Sequence, residues 1–253
     1  MGALAGRVGL VTGGGQGVGR GIALALARRG AAVAITGRTE VRLAAAVGEI
    51  ETLGIPASAH VCDGNDAAAI AATVAAVADR HGRIDILVNN AQQVPLGRLL
   101  DVSDEDFLTG FTSGPLAALR FMRAAYPHLK RSGDGVIFNL ATSAAVRWDM
   151  AGYGAYAAVK QAMRSLTRAA AAEWGPDGIR VLSIAPHADS PALKQWAEAR
   201  PDEAEAFRRT IPLRRIGACE ADIGAAVAAL AGPDFAYLSG ATIPLDGGQA
   251  NFD

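Results

Sequence analysis

The strongest constraint in this chain is a rhythm. Short runs of β-branched and aliphatic residues alternate with longer alanine-rich stretches from one end to the other. The short runs fall at 8–12, 32–36, 58–62, 86–89, 136–140, 180–185 and 242–245, and they are apolar on both faces. Strands of that kind need cover on two sides, which is the pattern of a parallel sheet between layers of helix. Helices are predicted over 20–29, 40–53, 66–81, 114–130, 153–174 and 221–231, with Gly30, Gly54 and Gly82 placed as C-terminal caps. The 253 residues hold no proline-rich linker, composition shift or internal repeat. The expectation is one α/β domain, a doubly wound seven-stranded parallel sheet with helices on both faces. The segment 190–215 breaks the rhythm with charges of both signs, Trp196 and Phe207. It reads either as a helical insertion over the carboxyl ends of the strands, where such folds bind ligands, or as a solvated excursion.

Bulk properties exclude several classes of partner. Lys and Arg number 24 against 25 Asp and Glu, a net charge of −1, and no segment carries the dense basic cluster that a phosphate backbone requires. Cys62 and Cys219 lie far apart without metal-ligand spacing, so they read as buried thiols in a reducing compartment. The first residues lack a basic region followed by a long apolar stretch, and the alanine-rich run at 67–78 is too short for a bilayer. A cytoplasmic protein with a small-molecule partner, and no nucleic acid, membrane or metal, is expected.

The first strand runs into "TGGGQGVGRGIALALARRG", a strand, a glycine turn and a helix. Uncapped N–H groups at a helix start favour an anion, and glycines let a pyrophosphate approach the backbone. The turn fits T-G-x-x-x-G-x-G, with Thr12, Gly13, Gly17 and Gly19. Any tight strand–helix turn wants glycine, but the position after the first strand points to a dinucleotide. The second strand ends in "AITGRTE", with no acid at Thr36 or Gly37 and Arg38 next. An acid there would bind a ribose 2′-hydroxyl, whereas arginine pairs with a 2′-phosphate, so NADP(H) is favoured over NAD(H). Glu40 reads as an acidic start to the following helix.

"GAYAAVKQAM" places Tyr156 and Lys160 four residues apart, on one face of an alanine helix. An ammonium beside a phenol favours the phenolate and brings the tyrosine toward useful acid–base chemistry. Taken alone, the pair is equally the polar edge of an amphipathic helix. Ser143 lies thirteen residues upstream, just after the strand "GVIFNL". That spacing, together with the glycine turn, resembles the short-chain dehydrogenase/reductase family, and the resemblance spans essentially the whole chain. "CDGND", "NNA" at 89–91, "IRVLSIAP" and "IPLDGG" fall in family order. The resemblance implies a Rossmann-type oxidoreductase in which Tyr156 exchanges a proton with the substrate oxygen, Lys160 holds the nicotinamide ribose and lowers the tyrosine pKa, and Ser143 polarises the carbonyl. It also implies a cofactor-binding set of Gly13, Gly15, Gln16, Gly17, Val18, Gly19, Arg38, Thr39, Asp63, Gly64, Asn90, Ala91, Gln92, Tyr156, Lys160, Pro186, His187 and Asp189. Assembly as a homotetramer or homodimer is a further implication.

Three departures stand out. The family's catalytic asparagine, in an N-x-x-G context, falls at Phe111, three residues before Gly114. A phenyl ring has no hydrogen-bonding group, which predicts a weakened or rerouted proton relay. "NNA" continues with Gln92 rather than glycine, and Pro186 is followed by His187 rather than glycine. Phe111, Gln92 and His187 are expected to converge on one reshaped pocket. Trp148, Met150 and Trp196 hint at an apolar or ring-bearing substrate, and Tyr153 is a candidate pocket wall. Two alternatives stay open: a 3-oxoacyl thioester reductase docking a carrier protein on Arg208, Arg209, Arg214 and Arg215, and a cofactor-binding sensor with little turnover. No G-x-S-x-G elbow supports a hydrolase.

Overall fold

The computed structural model describes residues 2–147 and 151–250. In chain order the main elements are β1 (Val8–Thr12), α1 (Gly17–Arg28), β2 (Ala32–Gly37), α2 (Glu40–Glu51), β3 (Ala57–Val61), α3 (Ala67–His81), β4 (Ile86–Asn89), α4 (Asp104–Phe111), α5 (Ala117–Ser132), β5 (Gly135–Leu140), α6 (Gly154–Trp174), β6 (Ile179–Pro186), α7 (Pro191–Ala199), α8 (Pro201–Thr210), α9 (Ala225–Leu230) and β7 (Thr242–Leu245). All seven strands pair in parallel, in the order β3-β2-β1-β4-β5-β6-β7. The order reverses between β1 and β4, which opens a crevice above their carboxyl ends.

Alternation along each strand divides the core in two. Val11, Val33, Ile35, Val88, Phe138 and Leu182 face α1, α2 and α9 through Ile22, Leu26, Leu43 and Val227. Their neighbours Leu10, Ala34, Leu87, Ile137 and Val181 face the other way, against Ile70, Val74, Phe121 and Met122 of α3 and α5. Side chains at successive positions point to opposite faces, so strands apolar at every position fill both layers.

The helix expected from residue 114 differs from the one observed. A separate helix, α4, precedes it, started by Ser103, whose Oγ accepts from Asp106 N at 3.0 Å, with Asp104, Glu105 and Asp106 in its first turn. Between α4 and α5, residues Thr112–Leu116 form a π-helical turn containing Pro115. Proline has no N–H to give and obstructs the ordinary helical register, and single π turns take up such a fault. Segment 190–215 forms α7 and α8 and the turn after them, with Ser190 capping α7 through Leu193 N at 3.3 Å.

Phe138 is fully buried at the centre of the sheet. Phe138→Ala should lose about 3–5 kcal/mol of unfolding free energy, read from the urea midpoint at unchanged slope.

Candidate active site

A cleft of about 1070 Å³ runs across the carboxyl ends of the strands. Its floor is locked by Asn90. The Asn90 N–H donates to Thr12 Oγ1 at 2.9 Å, its Nδ2 donates to Thr12 O at 2.9 Å, and Ala91 N donates to the same Thr12 Oγ1 at 3.0 Å. These bonds join the end of β4 to the end of β1, where the glycine turn begins. Gly13 has a left-handed φ of +66°, and a Cβ there would meet Asn90 Nδ2 at 2.8 Å. A Cβ on Gly19 would meet Gly13 O at 2.4 Å, so this glycine closes the turn from behind. Helix α1 then starts with no side-chain cap and no acid in its first turn. A bare helix start beside a cradle that Cβ atoms would fill suits a pyrophosphate.

At one end of the cleft stand Arg38, Thr39, Asp63 and Gly64, all lining it. Arg42, in the first turn of α2, lines the same end, and its Nη1 donates to Gln16 Oε1 at 2.6 Å. Two guanidinium groups therefore flank this pocket. Glu40 sits in the first turn of α2, as an acid at a helix start should.

At the other end α6 presents Tyr156 and Lys160. Lys160 is buried, its Nζ donates to Leu140 O at 2.5 Å and lies 5.7 Å from the centre of the Tyr156 ring. Burial pulls the Lys160 pKa down to about 7. Burial pushes the Tyr156 phenol up to about 12, against the opposing pull of a hydrogen bond with the Thr142 side chain. The phenol thus holds its proton at neutral pH. The lowered tyrosine pKa expected from Lys160 is not found in this arrangement, because the amine is itself desolvated and turned to a backbone carbonyl.

The family model described as enoyl-(acyl carrier protein) reductase matches residues 13–250. The 12alpha-hydroxysteroid dehydrogenase of Clostridium sp. is 38% identical over 257 residues, covering 98% of each chain. The chain belongs to the short-chain dehydrogenase/reductase family. Among solved structures, a short chain dehydrogenase from Burkholderia cenocepacia in complex with NADP superposes with a TM-score of 0.89 at 35% identity, over 98% of this chain and 99% of that one. A 7 alpha-hydroxysteroid dehydrogenase complexed with NADH and 7-oxo glycochenodeoxycholic acid gives a TM-score of 0.91 at 30% identity, over 98% and 95%. This short-chain dehydrogenase/reductase is therefore an NAD(P)-dependent oxidoreductase of alcohol and ketone groups.

Against the residues expected from sequence, the cleft wall includes Gly13, Gly15, Gln16, Gly17, Val18, Arg38, Thr39, Asp63, Gly64, Asn90, Ala91, Gln92, Ser143, Tyr156, Lys160, Pro186 and His187. Two members of the set do not reach it. Gly19 is packed behind the turn, and Asp189 is spent on two neighbouring segments, accepting from Cys219 N at 3.0 Å and pairing with Lys194 of α7 at 2.9 Å. Ser143 touches the cleft, with its Oγ donating to the buried Asp246 at 2.5 Å, while the adjacent Thr142 Oγ1 accepts from Ala144 N at 3.3 Å. The expected convergence of Phe111, Gln92 and His187 fails at Phe111, whose ring stacks on Phe107 at 5.1 Å outside the cleft. From the π-helical turn it is Ser113 that lines the cleft.

Part of the cleft wall is aromatic. His187 and Trp196 each meet the Phe207 ring edge-on, at 5.1 and 5.9 Å, and Tyr153 also lines the cleft. Burial lowers the His187 pKa, so the ring is neutral at pH 7. Trp148 and Met150 lie outside the described residues. The arginine cluster is partly paired locally, with Arg208 and Arg209 sharing Glu205 at 2.7 and 3.3 Å and Arg215 on Asp222 at 2.5 Å. Among the described residues no His, Cys, Asp and Glu cluster could hold a metal, and no helix is long and apolar enough to cross a membrane. Arg42 and Thr142 are the site residues that sequence reasoning missed. Arg42 carried a signal, one helical turn beyond Arg38, and Thr142 carried one as the second of two adjacent hydroxyls.

The Lys160 pKa in the fold, about 7, lies below its ordinary 10.5. The unfolded chain therefore binds the extra proton between those values, and this group adds stability as pH rises through that window. Thermal melts of wild type and Lys160→Met should show wild type gaining on the variant from pH 7 toward pH 10, with no such trend below pH 6.

Proposed function

We propose that this protein transfers hydride between NADP(H) and a ring-bearing ketone or secondary alcohol, with Tyr156 exchanging the proton. The observation that carries the reading is the half-buried Tyr156, with Lys160 Nζ 5.7 Å from its ring centre and Ser143 in the same wall, in a cleft whose far end holds Arg38 and Arg42. When bound, the nicotinamide supplies or takes the hydride. In the reductive direction the carbonyl carbon gains that hydride, and the carbonyl π electrons move to oxygen. The oxygen takes the Tyr156 proton, leaving an alcohol and a phenolate. The Ser143 hydroxyl, in the cleft wall, polarises the carbonyl, and Lys160 in its protonated form stabilises the phenolate. Without substrate the Ser143 Oγ rests on Asp246, which also accepts from Gly248 N, Gln249 N and Ala250 N at 3.0, 3.2 and 3.0 Å. That network holds Gln249 in the cleft wall.

Arg38 and Arg42 support NADP(H), since a paired guanidinium site matches a 2′-phosphate. The ring preference is supported by His187, Trp196, Phe207 and Tyr153, and by relatives named as hydroxysteroid dehydrogenases. Exposed Leu99, Leu100 and Leu108 support assembly as a homodimer or homotetramer.

Oxidation of NADPH against a panel of steroidal and aromatic ketones tests the reading. Tyr156→Phe should cut kcat by about 100-fold or more. Ser143→Ala should cut it by about 100-fold, the worth of one carbonyl-polarising donor, and Thr142→Ala by clearly less. Arg38→Ala with Arg42→Ala should raise the KM for NADPH about 10- to 100-fold and leave that for NADH nearly unchanged, as expected for lost charge-assisted bonds. Tighter use of NADH than NADPH by wild type would remove the 2′-phosphate assignment.

A further inference from the structure

Gln92 is the least explained side chain of the cleft. It follows β4 immediately after the Asn90 lock, and both amide atoms, Oε1 and Nε2, are buried without a hydrogen-bond partner. A buried, unpartnered amide is costly. Its surroundings show what it serves. A second void of about 20 Å³ opens behind the cleft, between Gln92, Lys160, Asn89, Ser113 and Gly114. Asn89 Nδ2 donates to Asn139 Oδ1 at 2.8 Å, and Asn139 Nδ2 donates onward to Thr167 Oγ1 at 3.0 Å. That chain fixes the Asn89 amide, yet Asn89 Oδ1 is itself buried and unpartnered. Ser113 is satisfied, accepting from Gln93 N at 3.1 Å and donating to Thr109 O at 2.7 Å. In its protonated form Lys160 has three donors, one of which goes to Leu140 O.

A void of this size has room for one water, provided that two to four polar groups face it. Gln92, Asn89 and Lys160 all line it, the first two with buried amide atoms that lack a partner. Gly114 makes the arrangement possible, because a Cβ there would stand 3.1 Å from both Cδ and Nε2 of Gln92. The amide reaches its place across the one residue of the π-helical turn that has no side chain. We propose that Gln92 is a positioning residue, holding, with Asn89 Oδ1, one water against Lys160 Nζ. The water accepts from Nζ and donates to the two amide oxygens. It thereby gives the buried ammonium a second partner and keeps it charged and placed beside Tyr156. An amide arriving from the β4 side then does the supporting work that the resemblance assigned to an asparagine at Phe111. The inference rests on the Tyr156 and Lys160 reading above for its consequence, though not for the water itself.

Gln92→Leu removes both amide atoms at similar volume. It should lower kcat about 10- to 100-fold, the penalty typical of a displaced catalytic group, with the KM for NADPH within about twofold of wild type. Gln92→Gly with Gly114→Asn restores an amide from the opposite wall. It should recover most of the kcat lost in Gln92→Gly alone, a rescue that lost packing would not give. A crystal structure of the wild-type protein should show one water within hydrogen-bonding reach of Gln92, Asn89 Oδ1 and Lys160 Nζ, and Gln92→Leu should lack it. A dry wild-type void, an unchanged kcat in Gln92→Leu or a double variant no better than Gln92→Gly overturns the proposal. If the water is present but wild type reduces no ketone of the panel, the water site stands and the oxidoreductase assignment of Tyr156 falls.

Discussion

The site depends on the bonds between Asn90 and Thr12. A doubly wound sheet leaves a crevice where its strand order reverses, and that crevice is only as well shaped as the loops on either side of it. Here the loops leave β1 and β4 in opposite directions. Three hydrogen bonds through Thr12 Oγ1 and Thr12 O hold them together. The glycine turn has few side chains with which to hold itself, and Gly13 and Gly19 give the Asn90 amide room to lie against the backbone. From that lock the chain reaches one way to the arginines of α2 and the other way to Gln92 and the void behind Lys160.

The reacting end follows from burial. Lys160 and Tyr156 share a face of α6 that is pressed against β5 and the turn after it, so both lose solvent. Desolvation disfavours the charged form of each, which lowers the amine to about 7 and raises the phenol to about 12. Such a pair keeps the tyrosine proton in place at neutral pH. The neighbouring amides and hydroxyls then matter for what they supply to a group that water no longer reaches. The chain from Thr167 through Asn139 to Asn89 is continuous and fully buried, which gives the back of the site a rigid polar spine.

Much of this was legible from residue order. The strand positions agree to within a residue or two, because apolar runs flanked by glycine leave little freedom in a parallel sheet. The glycine turn, Arg38, Tyr156 and Lys160 were visible because each rests on local spacing. What escaped was set by the path of the chain between distant elements. Helix α4 carried a legible start at Ser103, yet its merger with α5 through Pro115 put the π-helical turn where an uninterrupted helix was expected. Phe111 consequently points at Phe107 and not into the cleft. Asp189 looked like a cleft residue by position, but its carboxylate is consumed by Cys219 N and Lys194.

The sequence by itself determined the doubly wound sheet, the glycine cradle at its first turn and the Tyr156–Lys160 pair, since each follows from periodicity or short spacing along one element. Only the tertiary structure decided which of two adjacent hydroxyls meets the phenol. Thr142 and Ser143 are one residue apart, and the difference lies in Asp246, more than a hundred positions away, which captures the serine while the threonine caps its own turn through Ala144 N but stays beside the phenol. It also decided that Gln92 lies against Gly114 and behind Lys160. That juxtaposition brings together a loop after β4, a π-helical turn and α6, and no local pattern encodes a void shared by three elements.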